Sequence, residues 1–258
     1  MENYVLYNNE LLRFNNDLLT YDLPSAATYP TDGLVARWAF DGDGDDSYAS
    51  YDLIGIGTPD YISGSATGAP SNFPSQVFDS STAGGFFRTN EATSALYDTW
   101  RLGNAFSIAI WGRIDYVPAA CSFWGSDNWN YLNTRYSSMQ VNTSNEVFAL
   151  SGDSGVGNTL INRAREDGWH HHVYTYEGNS ADPSTYQYYY DGVSQGTQVK
   201  RYLNDGLSTA FGRRGVVYPG WTTARGGVFH GYLSLSYLYN KALDISEVAQ
   251  LYNSGKGV

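Results

Sequence analysis

The sequence predicts an all-β protein: a two-sheet antiparallel jelly-roll sandwich, with a small N-terminal β-hairpin or meander before it and a short C-terminal helix closing it. Three observations carry this. Aromatic residues make up 16% of the 258 residues, with 23 Tyr and 7 Trp, and Gly supplies 28, a mixture that suits strands and turns. Short apolar runs separated by turn signals recur along most of the chain, as a sandwich requires. One segment only, near the C-terminus, carries helix start and stop signals.

The first element is a seven-residue phrase that occurs twice, Tyr7-Asn8-Asn9-Glu10-Leu11-Leu12-Arg13 and Phe14-Asn15-Asn16-Asp17-Leu18-Leu19-Thr20, before Tyr21. Asn tolerates positive φ, so paired Asn suit the centre of a type I′ hairpin turn. Three strands are expected, Tyr4–Tyr7, Glu10–Phe14 and Asp17–Tyr21. The recurrence of Leu11, Leu12, Leu18 and Leu19 would also fit a helix, but the four Asn disfavour it. So small a sheet needs something to pack against. Tyr7, Leu11, Leu12, Phe14, Leu18, Leu19 and Tyr21 are therefore candidate anchor residues for assembly with another protein.

Asp22–Asp32 reads as a linker, with two prolines and small polar residues, and residues 33–258 as the main domain. Leu34–Phe40 alternates as a strand and runs into the acidic loop Asp41–Asp46. Gly- and Ser-rich loops fill most of 55–75. Gln76–Phe78 and Gly85–Arg88 are short and extended. Phe106–Trp111 alternates large and small side chains, as between two packed sheets. Trp169–Tyr176 is another strand. Tyr186–Tyr190, Asp191-Gly192 and Val193 onward form a hairpin. Gly231–Tyr239 is the last strand, and a helix follows from Ser246 as N-cap through Tyr252, with Gly255 beyond its end.

Composition narrows the function. A net charge of −11 argues against binding a phosphate backbone. The single Cys121 excludes an internal disulfide. No charged n-region followed by an apolar run opens the chain, and no stretch reaches transmembrane length, which points to synthesis in a cytoplasm without membrane insertion. A chain beginning at Met1 is read as unclipped.

Residues in order now carry a resemblance. Leu34–Gly42, Gln76–Asp79, Phe106–Trp111, Gly168–Gly178, Tyr190–Val193 and Gly231–Leu243, with Ser246 and Leu251-Tyr252, resemble the laminin-G-like, concanavalin A-like jelly-roll domains over roughly residues 33–255. The resemblance implies two antiparallel sheets face to face and a glycan- or protein-binding role, although the same sandwich hosts lectins, glucanases and adhesion modules. The N-terminal phrase resembles the short Asn-rich repeats that open small virion proteins of tailed bacteriophages. Together they imply a phage structural protein of capsid-decoration, head-fibre or tail-fibre type, displayed on the virion surface after synthesis in a host cytoplasm. Its partners would be other virion proteins, glycans and further copies of the chain. The alternative is a secreted bacterial carbohydrate-binding or adhesion module.

Catalysis has little support. Glycoside hydrolysis needs two facing carboxylates, and the resemblance places Glu-x-Asp-x-x-Glu on one strand in the glucanases of this fold. Glu2, Glu10, Glu91, Glu146, Glu166, Glu177 and Glu247 never make that spacing. The chain is expected not to be an enzyme. His170 and His172 fall on one strand face and His171 on the other, too few ligands for zinc. Asp41, Asp43, Asp45 and Asp46, with Asp52 beyond, have the oxygen-rich spacing of a calcium loop, so calcium is the one cofactor expected. The resemblance implies a further acid from the last strand, where Ser234 stands. Sugar recognition pairs aromatic platforms with polar side chains. Two loop regions have that alphabet: Cys121–Tyr136, with Trp124, Asp127, Asn128, Trp129, Tyr131 and Arg135, and the segment holding Tyr218 and Trp221.

Overall fold

The computed structural model describes residues 28–79, 86–89, 104–116, 121–128, 135–141, 146–153, 159–164, 166–178, 184–200, 208–211 and 230–258, together with four N-terminal strands. Those are β1 (Leu6–Tyr7), β2 (Glu10–Leu11), β3 (Arg13–Phe14) and β4 (Asp17–Leu18). The main domain continues with β5 (Leu34–Trp38), β6 (Leu53–Ile56), β7 (Asp60–Ser63), β8 (Gln76–Asp79), β9 (Phe86–Thr89) and β10 (Phe106–Tyr116). Then come β11 (Cys121–Asn128), β12 (Arg135–Val141), β13 (Glu146–Asp153), β14 (Thr159–Ala164) and β15 (Trp169–Tyr176). The last strands are β16 (Ser184–Tyr190), β17 (Val193–Lys200), β18 (Ser208–Phe211) and β19 (His230–Tyr239), before the helix α1 (Ile245–Tyr252).

The N-terminal phrase folds as two hairpins rather than one three-stranded meander. β1 pairs with β2 through Tyr7↔Glu10, and β3 with β4 through Phe14↔Asp17. Each closing pair flanks one Asn-Asn of the sequence, and those asparagines lie outside the described residues. The single middle strand Glu10–Phe14 is corrected: it is divided into β2 and β3, which lie in separate sheets. Leu12, Leu19 and Tyr21 lie outside the described residues.

Two antiparallel sheets make the sandwich. The first runs β17-β16-β15-β10-β19-β8-β7, with β5 also pairing on β19, and the second runs β14-β13-β12-β11-β18-β9-β6. β10 shows why the first sheet is central. Phe106, Ile108, Ile110 and Ile114 enter the core between the sheets, while Ala109 and Trp111 point to the outer face. That outer face is itself covered: α1 lays Val248 and Leu251 onto Leu235, Tyr237, Tyr239 and Val173. Burial on both faces accounts for the unbroken apolar run Ile108–Trp111 in β10.

β19 changes face partway along. Ile110 pairs with Ser236 and Trp111 with Ser234, which leaves Leu235 as the extra residue of a bulge at φ +40°. One inserted residue reverses the alternation. Leu233 therefore enters the inter-sheet core, and Leu235, Tyr237 and Tyr239 all turn outward. Without the bulge these tyrosines would crowd the inner face.

Other expectations need correction. The end of the predicted linker packs on the domain: Tyr239 donates to the Pro30 carbonyl at 3.0 Å, and the Tyr29 ring lies 5.5 Å from that of Tyr237. The 55–75 region holds β7 and a 3₁₀ turn, Gly64–Thr67, besides loops. The helix begins two residues earlier than read. Asp244, not Ser246, is the N-cap, and its carboxylate accepts from the Ser246 and Glu247 amides at 2.8 and 3.0 Å. The Glu247 carboxylate returns a bond to the Asp244 amide at 3.1 Å, completing a capping box.

Candidate functional site

The sequence reading takes Cys121–Tyr136 as one binding loop; most of it is strand. β11 and β12 pair through Asp127↔Tyr136 and Asn128↔Arg135, so residues 129–134 are all that joins them. Trp124 is no surface platform. It is fully buried between the sheets, its ring 6.4 Å from Phe106 and 6.0 Å from Tyr174. An isolated indole in a polar stretch looks like a loop residue; the cross-strand neighbours that cover it are far away in sequence. Trp129, Tyr131, Tyr218 and Trp221 lie outside the described residues.

The strand register still fixes where the two candidate segments join the sandwich. β11 pairs with β18 through Asp127↔Ser208 and Trp124↔Phe211. The 129–134 segment leaves β11 beside Ser208, and the 212–229 segment leaves β18 beside Trp124. Their attachment points are thus at opposite ends of the same strand pair. Asp127, Asn128 and Arg135 are placed at the first of these ends.

The acidic loop is closed by its own backbone. Asp46 is 8% exposed, and its carboxylate accepts from the Arg37 and Tyr48 amides at 2.9 Å each and the Tyr51 amide at 3.1 Å. Asp41 accepts from the Gln76 amide at 2.8 Å and the Ser75 hydroxyl at 3.0 Å. Asp43 accepts from the Asp45 amide and Asp52 from the Asp46 amide, at 3.1 and 2.9 Å. Short acidic side chains readily cap backbone donors in this way. The spacing that suggests calcium thus serves to hold the turn, and no group of three His, Cys, Asp or Glu among the described residues converges to hold a metal ion. Crowding remains: Asp43, and less strongly Asp52, raise the exposed Asp45 carboxyl above its ordinary value. Burial, with Asp43 and Asp45 behind it, pushes the Tyr61 phenol up. Ser234, which stands in the sequence where the resemblance implies an acid, donates its hydroxyl to the Ala39 carbonyl at 3.3 Å.

The three histidines alternate as expected and make no cluster. His170 Nδ1 lies 2.7 Å from Asp191 Oδ2, and Nε2 is 3.1 Å from the Asp167 carbonyl. Burial opposes the charged ring of His170, but the Asp191 hydrogen bond and charge outweigh it and hold the group above its ordinary value. His172 Nδ1 meets the Tyr188 hydroxyl at 2.8 Å. His171 faces the other way, fully buried and stacked 5.1 Å from Trp111, and neither ring nitrogen has a partner among the described residues. Burial pushes it down to about 3. Asp191, read from the sequence only as part of the Asp-Gly turn, is the residue that ties this corner together. It occupies the Asp-Gly turn at φ +51°, and its Oδ1 also accepts the His171 amide at 2.8 Å.

Two face-to-face antiparallel sheets, with β5 paired beside the last strand β19, define a jelly-roll sandwich of the lectin type. The chain belongs to the concanavalin A-like lectin/glucanase superfamily, whose profile matches residues 82–249, well over half its length. Comparison with curated proteins returns no match. Among solved structures, it is similar to domain 4 of AbnA, a GH43 extracellular arabinanase from Geobacillus stearothermophilus, in complex with arabinotriose. That likeness has 16% identity and a TM-score of 0.60, over 84% of this chain and 96% of that one. It is also similar to the binding domain of botulinum neurotoxin DC in complex with rat synaptotagmin II, at 15% identity and a TM-score of 0.61, over 86% of this chain and 51% of the other. A structure of botulinum neurotoxin type C, described as dependent for cell entry on two ganglioside molecules, matches to the same degree. The chain spans about half the length of the neurotoxin chains. At these identities the likeness is one of fold.

Proposed function

We propose that the protein is a non-enzymatic, glycan-binding jelly roll displayed on a bacteriophage particle, to which its N-terminal hairpins dock it. The observation that carries this is the register of those hairpins. Tyr7↔Glu10 and Phe14↔Asp17 each close over an Asn-Asn pair, producing two two-stranded sheets. An isolated hairpin is marginal in water, so two in succession make sense as elements completed by a partner. Glycan binding is supported by the superfamily and by similar folds whose descriptions name arabinotriose and gangliosides. A single shallow sugar site gives millimolar affinity, about −4 kcal/mol. Display in many copies raises avidity by about 10² to 10⁴, which suits a particle. This reading does not require calcium: Asp41, Asp43, Asp46 and Asp52 already accept bonds from backbone amides.

The docking claim is tested by deleting residues 1–21 and sedimenting the protein with particles. Full-length protein is expected to co-sediment and the truncated form to remain in the supernatant with unchanged circular dichroism melting. Co-sedimentation of the truncated form would overturn the anchoring role.

A further inference from the structure

Strand register assembles a row of side chains that no stretch of the sequence shows. Asp60 of β7 lies directly opposite Asp79 of β8, and Asp79 opposite Tyr232 of β19. Tyr232 lies opposite Arg113 of β10, and Arg113 opposite Trp169 of β15. Residues directly opposite across strands share one face. The row therefore crosses five strands of the first sheet, about 19 Å at the usual strand spacing, on the outer face beyond the part that α1 covers.

The row is both open and fixed. Asp60 is exposed, Tyr232 and Trp169 are partly exposed, and the side chains of Arg113 and of Asp115 beside it keep 32% and 36% of their surface. Asp79, at 8% exposure, forms its floor. Arg113 Nε bonds Asp115 Oδ1 at 2.7 Å, Arg113 Nη1 donates to the Thr67 carbonyl, and the guanidinium lies 5.6 Å from the centre of the Tyr232 ring. Trp169 Nε1 donates to the same Thr67 carbonyl at 3.2 Å, and its ring is edge-on to Phe73 at 5.3 Å. These bonds hold both long side chains in one rotamer, so little conformational freedom remains to be lost on binding.

Carboxylates only accept hydrogen bonds, a guanidinium only donates, and aromatic rings offer apolar faces. Asp60, Asp79 and Asp115 outnumber the one cation, Arg113, so the strip repels anions. Its elongated shape and mixed chemistry suit a chain of rings that presents hydroxyl donors at its edges and C–H surfaces on its faces. We infer that the strip Asp60–Asp79–Tyr232–Arg113–Trp169 binds a neutral, linear oligosaccharide lengthwise across the first sheet. This rests on the glycan-binding reading and gives it a surface built from residues other than Trp129 and Trp221.

The test uses the full chain with neutral linear tetrasaccharides (arabinan, xylan, mannan and glucan fragments), a sialylated tetrasaccharide and a Lys-rich peptide, each titrated by calorimetry. At least one neutral tetrasaccharide is expected to bind. Asp60→Asn, a change at an exposed position of an edge strand, is expected to weaken it about tenfold, the usual worth of a hydrogen bond to a charged group. Tyr232→Ala is expected to weaken it at least as much, while Trp129→Ala and Trp221→Ala leave this binding event in place. Neutral-glycan binding that survives both strip variants but disappears with Trp129→Ala or Trp221→Ala would overturn the strip and leave the glycan reading standing. Absence of glycan binding by the unaltered chain would overturn both. Preference for the sialylated sugar or the peptide would overturn the ligand class.

Discussion

Trp124→Ala is expected to remove about 3–5 kcal/mol of folding stability, the usual cost of deleting a buried tryptophan. The indole fills the space between the sheets beside Phe106 and Tyr174, and it sits on β11, an inner strand of the second sheet. Truncation leaves a cavity bounded by strands from both sheets, which cannot close without moving one of them. Trp124→Phe should recover most of the loss, because Nε1 has no hydrogen-bond partner among the described residues and only ring size is given up. Urea unfolding measures both. A variant with native stability that had lost sugar binding would instead return Trp124 to the surface, where the bare sequence suggested it.

The second large effect is a loss of stability in mild acid that traces to His171. Burial holds this ring neutral in the folded protein, down to about 3, with the Asp191 charge opposing only in part. In the unfolded chain it titrates near 6.5. Between those values the unfolded chain binds a proton that the folded chain refuses, so stability falls as pH falls. The slope approaches about 1.4 kcal/mol per pH unit, which integrates to about 2 kcal/mol between pH 6.5 and 4.5. His170 has the opposite sign. Raised by Asp191, it contributes stability that is fully present below the unfolded value and lost as pH climbs through its folded value. Replacing His171 with Phe keeps a flat ring against Trp111 and Tyr252 and should remove this contribution to the acid-side slope. Equal slopes in the two proteins, measured by urea unfolding at pH 6.5 and 4.5, would contradict a buried neutral His171.

What was legible in the sequence is what depends on local pattern. The alternation of Phe106 to Trp111, the run Trp169–Tyr176 and the Asp191-Gly192 turn all announced themselves, and each is found in the first sheet. The second sheet was harder. Leu53–Ile56 contains Gly55, and Cys121–Asn128 mixes Gly, Ser, Asp and Asn with its aromatic residues, so both resemble loops until their partners are known. The bulge at Leu235 is invisible as well, because a leucine at positive φ has no composition signal. The acidic loop shows a related gap: spacing shows which oxygens are near one another, but not whether backbone amides bond to them, as they do at Asp46. The row from Asp60 to Trp169 lies furthest from view. Its members are scattered over most of the domain, and only the register of five strands makes them neighbours.

The proposed role of the sandwich is to hold sugars without breaking them. The most direct measurement is to hold the full-length protein, in its assembled multivalent form, over an array of neutral glycans and then to assay the bound sugars for new reducing ends. The account predicts retention of at least one neutral glycan and no increase in reducing ends. Silence across the whole array, or steady release of reducing ends from a retained glycan, would contradict it.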